Sequence, residues 1–307
     1  MSMQVIFLGT SASVPTPKRS LPAIVVKREN EHFMFDCGEN AQRQMIITKT
    51  GFHKRMKVFI THMHGDHILG LPGMLQTMAL LDRTGELDIY GPLGIRRFLT
   101  DIKETVQFML TFPVNIHEIT GPGLVCDEEQ YTVQAVKSNH VIESFAYALV
   151  EKPRPGRFYP KKAKALGLKE GSLWSDLQRG LKVKLPNGQI IRPEDVMGPP
   201  RKGRKVVYTG DTRPFEGFAE FAADADLLIN ECTLSDELKE RANEDGHSTP
   251  SQAAENAKKA KAKKLVLTHI SARYEDATLL LKQAKKIFKN TIVAEDFMKI
   301  ELPLPKE

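Results

Sequence analysis

Four apolar runs in this chain end on side chains that can bind a metal, and no other feature constrains the fold as tightly. KVFI at 57–60 leads into THMHGDH at 61–67, while YTVQAVKSNH ends at His140, KVVYTGD at Asp211 and KLVLTH at His269. Alternation and β-branching mark each run as a strand. Sheet-based folds build their sites in loops beyond the carboxyl ends of strands. Bringing four such ends to one place requires them to share an edge, which points to an α/β fold.

The run at 61–67 carries most of the chemistry. ILGLPGMLQTMALL at 68–81 has helical apolar spacing despite its early Gly and Pro, so His62, His64, Asp66 and His67 are expected in a tight turn from strand to helix. Alternation in an extended loop puts His62 and His64 on one side, and the pair Asp66 and His67 can face a second ion. Chance clustering is the ordinary alternative, yet HxHxDH spacing has little structural use without a cation. A seven-ligand set follows: His62, His64, Asp66, His67, His140, Asp211 and His269. His62, His64 and His140 are expected on one ion and Asp66, His67 and His269 on the other. Asp211 is expected to bridge, because a carboxylate has two oxygens where imidazole offers a single free lone pair. Nitrogen-rich ligation favours two Zn²⁺, with Mn²⁺ or Fe²⁺ as alternatives. Two ions about 3.5–4 Å apart clamp the attacking and leaving oxygens of a displacement at phosphorus.

Composition bounds the alternatives. A length of 307 with 41% hydrophobic residues allows one large α/β domain or two small ones with a real core. The opening MSMQVIFLG has too short an apolar run for a signal peptide, and no 18 apolar residues follow one another, so no membrane partner is expected. Cys37, Cys126 and Cys232 are odd in number and far apart, which points to a reducing, cytoplasmic setting.

Charge is unevenly spread. Residues 151–205 hold fifteen Lys or Arg against five Asp or Glu, a net of +10, so with +6 overall the rest sums to −4. The same stretch holds the one Trp and seven of the 18 prolines. It reads as an inserted arm with a short helix near 161–166, a hairpin around Pro186-Asn187-Gly188 and a hinge at Gly198 to Pro200. A solvated insertion serving only solubility is one reading. The other is a surface that tracks RNA phosphates, with Phe158, Tyr159 and Trp174 available for packing or stacking. Gly9-Thr10-Ser11 after the first strand offers either a phosphate contact or a plain tight connection, and the lysines of 258–264 read as a solvated helix face.

HxHxDH followed by widely spaced His, Asp and His ligands resembles the metallo-β-lactamase superfamily. FLGTSASVPTPKRS (7–20), FDCGENAQRQ (35–44), YTGDTRP (208–214), GHST (246–249) and LTHIS (267–271) narrow the resemblance to the ribonuclease Z family, short form. Two departures stand out, at 39–42 and at Asn230-Glu231-Cys232-Thr233, and neither removes a ligand.

The resemblance implies a four-layer αβ/βα sandwich over 1–307 as a single catalytic domain, with 151–205 as an inserted tRNA-binding arm. Gly156-Arg157-Phe158 and Gly198-Pro199-Pro200-Arg201 match the landmarks of an arm that grips the tRNA elbow. It also implies a homodimer and a zinc-dependent phosphodiesterase that removes the 3′ trailer from precursor tRNA, leaving a 3′-hydroxyl and a 5′-phosphate. In that reaction Asp66 takes or orients the proton of the attacking water, His247 serves the departing oxygen or the phosphate, and Glu231 orients His247. The ordinary reading of His247 is a neighbour of a helix cap without chemistry. A small-molecule hydrolase of thioesterase or arylsulfatase type would share the metals but has no use for a +10 arm, and an RNA-binding module without turnover has no use for the ligands.

Overall fold

A computed structural model describes residues 2–305 of the chain, which divide into two compact units. The larger comprises residues 2–128, 132–150 and 205–303. It is built on two seven-stranded sheets. The first runs, in spatial order, Lys299–Glu301, Met3–Gly9, Ala23–Arg28, Glu31–Phe35, Arg55–Phe59, Leu87–Pro92 and Val114–Ile119. The second runs Thr291–Val293, Leu265–Thr268, Leu227–Glu231, Lys205–Tyr208, Phe145–Glu151, Tyr131–Lys137 and Gly123–Asp127.

Strand alternation separates two environments. In the first sheet Ile6, Leu8, Met34, Met56, Val58, Leu87 and Ile89 join a core that also takes Met45, Leu71, Met74, Leu75 and Met78 from the helices Ala41–Ile47 and Gly70–Leu80. In the second, Ala146, Ala148, Val207, Leu228, Leu265 and Leu267 pack with Ala253, Ala254 and Ala257 of helix Pro250–Lys259 and Leu280 of helix Thr278–Lys285. The intervening residues point the other way, and there the sheets meet. Phe35 and Phe59 of the first lie 6.1 and 5.4 Å from the Tyr147 ring of the second, and Phe35 lies 6.1 Å from Tyr208. Layers therefore follow as helix, sheet, sheet, helix, the expected αβ/βα sandwich. Both strand faces being covered, the strands read as continuous apolar runs, as buried parallel strands do.

Parallel pairing positions the site. Glu31–Phe35, Arg55–Phe59, Leu87–Pro92 and Val114–Ile119 are mutually parallel, as are Lys205–Tyr208, Leu227–Glu231, Leu265–Thr268 and Thr291–Val293. Their carboxyl ends share an edge in each sheet. The helix after KVFI begins earlier than its apolar spacing suggests. A first turn spans Gly65–Ile68, so Asp66 and His67 are already helical and only His62 and His64 precede it.

The smaller unit consists mainly of residues 151–204. Helices Pro160–Ala165, Ser172–Gln178 and Pro193–Val196 and a hairpin of Val183–Lys184 with Ile190–Ile191 surround a core of its own. Ala163, Leu168, Leu177, Val183, Ile191 and Val196 are buried there, with Phe158 and Trp174 packed on them, rings 5.1 Å apart. These two aromatics are thus committed to packing. Lys161, Lys162, Lys164, Lys169, Lys182, Lys184 and Arg192 are left exposed. At the two chain ends of the segment, fully buried Arg204 donates from Nε and Nη2 to Glu151 at 2.8 and 2.7 Å.

Arg204→Ala would leave the Glu151 carboxylate buried without its partner, at a cost of ~3–5 kcal/mol. We expect a lower urea midpoint and faster proteolytic cutting within residues 151–204; an unchanged midpoint would contradict this role.

Candidate metal centre

Nitrogen and oxygen atoms of all seven expected ligands converge. His62 Nε2 and His140 Nε2 lie 3.0 and 3.2 Å from His64 Nδ1, and His62 Nε2 lies 3.7 Å from Asp211 Oδ2. On the other side His67 Nε2 and His269 Nε2 are 3.3 Å apart, each within 3.5 Å of Asp66 Oδ2. Asp211 reaches both groups, with Oδ2 3.4 Å from His67 and Oδ1 3.4 Å from His269. The ligand atoms of His62, His64, His140 and Asp211 lie within 4.8 Å of one another, as do those of Asp66, His67 and His269.

These separations suit a metal. Four ligands about 2.0–2.1 Å from a tetrahedral Zn²⁺ stand roughly 3.3 Å from each other. Asp211 Oδ1 is buried with no hydrogen-bond partner. Such an oxygen is costly unless a cation meets it.

The far nitrogens of His62, His67, His140 and His269 are engaged, which sets the orientation of those rings. His67 Nδ1 donates to Asp36 Oδ2 at 2.7 Å, and His140 Nδ1 donates to the Gly246 carbonyl at 2.9 Å. The Thr61 hydroxyl donates to Asp36 and so accepts from His62 Nδ1 at 2.9 Å. By the same logic Thr233 donates to Glu231 at 2.8 Å and accepts from His269 Nδ1 at 2.8 Å. These four rings therefore turn Nε2 toward the centre, while His64 turns Nδ1 there. Two carboxylates anchor the arrangement. Asp36 also accepts from the Thr61 amide at 2.7 Å and the Tyr208 hydroxyl at 2.8 Å. Glu231 accepts from the amides of Thr212, Thr233 and Ser248 and from His247 Nδ1 at 3.0 Å.

Backbone strain marks the same places. Asp36 and His269, each just past a strand end, adopt φ of 57° and 58°, a region that residues with a Cβ rarely occupy. Gly246 has φ 81°, and a Cβ there would stand 2.6 Å from His140 Nδ1, so only glycine lets its carbonyl approach the ring.

Electrostatics agree with a cation site. Burial pushes His62 far below the ordinary histidine value, and His64 and His140 fall with it for the same reason. Those three rings are held in their neutral form, the form that can bind a metal. Burial also opposes charge on His67, but Asp211 and Asp36 outweigh it and hold the ring well above its usual value. His247 is pushed up to about 9, Glu231 and Asp211 overcoming its burial. Asp66 and Asp211 are depressed in spite of burial, by His269 and His67. The carboxylates around the cluster thus favour positive charge at its middle.

His247 and Glu231 are brought together beside the ligands, with His247 Nδ1 3.9 Å from Asp211 Oδ2. Asp36 was not among the residues singled out from sequence as site residues. Its signal is present, since FDCG at 35–38 is another apolar strand delivering a polar side chain at its end. Ser13 also reaches the site, its amide donating to Asp66 Oδ2 at 2.9 Å. The Gly9 turn is a tight connection: a Cβ there would meet the Leu21 carbonyl at 1.7 Å, and Thr10 donates to Asp296.

Known proteins are similar to this chain. Family profiles described as Anti-Pycsar protein Apyc1 and Beta-lactamase superfamily domain match residues 3–151 and 190–270. A ribonuclease Z of Methanosarcina acetivorans is 47% identical over 306 residues, covering 99% of this chain and 100% of that protein. The chain belongs to the ribonuclease Z family. The ribonuclease Z of Myxococcus xanthus is 44% identical over 98% of both chains. Among solved structures, human tRNase Z, short form, superposes with a TM-score of 0.74 at 33% identity, covering 98% of this chain and 100% of that one. The metallo-β-lactamase fold protein YhfI of Bacillus subtilis, at 20% identity and a TM-score of 0.69 over 98% of this chain, shares the fold.

Asp36→Asn would offer an amide hydrogen or a weaker acceptor to His67 and Thr61. Loss of such a partner costs about 10- to 100-fold in metal affinity. We expect bound metal to be stripped by chelator at correspondingly lower concentration, with elemental analysis as the readout; wild-type metal retention would contradict the assignment.

Proposed function

We propose that this chain is a metal-dependent endoribonuclease that removes the 3′ trailer from precursor tRNA, leaving a 3′-hydroxyl on the tRNA and a 5′-phosphate on the trailer. The observation that carries the proposal is the convergence of all seven ligand side chains in a chain of this family. His62, His64 and His140 would hold one Zn²⁺, Asp66, His67 and His269 a second, and Asp211 would bridge them. When bound, the ions supply charge against the phosphodiester oxygens and lower the pKa of the attacking water.

The chain's own groups complete the chemistry. Asp66, held by the Ser13 amide, is placed to orient or accept the water's proton. His247, protonated at neutral pH and fixed through Nδ1 by Glu231, keeps Nε2 free to donate to the departing 3′-oxygen. Exposed cations of residues 151–204 supply the phosphate-tracking surface for the body of the tRNA, and that segment is the arm of the catalytic domain. The +10 charge favours this over a thioesterase or arylsulfatase, which meets no polyanion.

A homodimer belongs to the same proposal. Helices Ala41–Ile47 and Gly70–Leu80 pack together and leave Ile46 and Leu80 exposed at 61% and 83%, an apolar face suited to a second copy. No helix among the described residues is long and apolar enough to cross a membrane. Three free, buried cysteines fit a cytoplasmic setting.

With a 3′-extended tRNA and bis(p-nitrophenyl) phosphate as substrates, Asp66→Ala should be inactive on both. Deleting residues 153–203 should abolish only the tRNA reaction. His247→Ala should lower turnover of the tRNA by ~10²-fold or more while bound metal stays unchanged. Loss of metal in that variant would make His247 a ligand instead. Survival of the precursor beside hydrolysis of the small ester would hand the assignment to a small-molecule hydrolase.

A further inference from the structure

Arg213 is a half-buried cation with no carboxylate within ion-pair distance among the described residues, two positions beyond the bridging Asp211. Its partners are neutral oxygens on another loop and near the end of helix Lys239–Glu244. Nε donates to Asn139 Oδ1 at 3.0 Å, and Nη1 donates to the Asn243 carbonyl at 2.7 Å. The backbone repeats the first link, with the Arg213 amide donating to the Asn139 carbonyl at 3.0 Å and the Asn139 amide to Thr212 Oγ1 at 3.0 Å. Asn139 immediately precedes His140. Asn243 opens the turn to Gly246 and His247, and its side chain is fixed by Gln252 Nε2 at 2.9 Å.

The loops that carry His140 and Asp211 and the helix end that leads to His247 thus meet on one guanidinium. Asn139 and Arg213 pair as an isolated backbone bridge, and the guanidinium carries that bridge on to Asn243 near the end of helix Lys239–Glu244. Burying part of a cation against neutral acceptors is costly. A planar fork with fixed donor directions can hold two acceptors at a set distance, whereas an ammonium on a flexible stem cannot.

We propose that Arg213 is a positioning residue, a clamp that sets the separation between the metal ligand His140 and the proton donor His247. The clamp acts through geometry and not through its charge, and it rests on the reading of His140 and His247 given above. A displacement of about 1 Å at a reacting group costs on the order of 10²-fold in rate. Loosening a group behind a ligand costs about 10- to 100-fold in metal affinity.

The test compares Arg213→Lys, Arg213→Met and Asn139→Ala in the full-length, metal-loaded chain. Each is assayed on the tRNA precursor and on bis(p-nitrophenyl) phosphate, by chelator titration of bound metal, and by thermal melting. We expect both Arg213 variants to lose about 10- to 100-fold in kcat on both substrates. KM should stay nearly constant, one ion should be stripped more readily, and the melting temperature should change little. Asn139→Ala removes one prong and should give the same pattern more weakly. Near wild-type behaviour of Arg213→Lys would show that charge alone matters and overturn the clamp. So would a defect confined to the tRNA, which marks a phosphate contact, or an unaffected Asn139→Ala. A fall in all readouts in step with melting would assign Arg213 to stability instead. If the wild type hydrolysed only the small ester, the tRNA reading would fail while the clamp would still be scored on ester turnover and metal retention.

Discussion

Two buried carboxylates, Asp36 and Glu231, organise the centre. Each closes a parallel strand, one in each sheet, and each governs two histidines, one directly and one through a threonine hydroxyl. A carboxylate in such a place would be expensive without a full set of donors. Backbone amides, hydroxyls and imidazoles provide that set, and in doing so they fix which nitrogen of each ring faces inward. The apparent extravagance of burying so much charge is therefore the means by which the lone pairs are aimed.

The sandwich makes this arrangement possible. Parallel strands place their carboxyl ends along one edge, and packing the sheets through Phe35, Phe59, Tyr147 and Tyr208 brings the two edges together. Tyr208 serves both layers at once, with its ring in the interior and its hydroxyl on Asp36. Ligands from opposite sheets then meet across the seam, with Asp211 from one sheet between His62 and His67 from the other. The centre is a property of the seam rather than of any one loop.

Much of this was legible in the sequence. Strand-like runs ending in His140, Asp211 and His269 declared themselves because apolar alternation and ligand-type residues are both local signals. The sandwich itself came from resemblance, since periodicity distinguishes strand from helix but not which sheet a strand joins. Asp36 escaped notice because a single carboxylate at a strand end is unremarkable until its donors, distant in sequence, are brought to it. In residues 151–204 the expected short helix and hairpin are present, but two further helices and a separate core were hidden. Phe158 and Trp174 lie sixteen positions apart, and nothing local says that they pack on each other instead of on a base.

The proposed pair of cations, side by side with Asp211 between them, is tested most directly by anomalous diffraction at the zinc edge from crystals of the zinc-loaded chain. Two peaks about 3.5–4 Å apart, one beside His62, His64 and His140 and the other beside Asp66, His67 and His269, with Asp211 touching both, are the predicted result. A single peak at full metal loading, or a second ion lying away from Asp211, would contradict it.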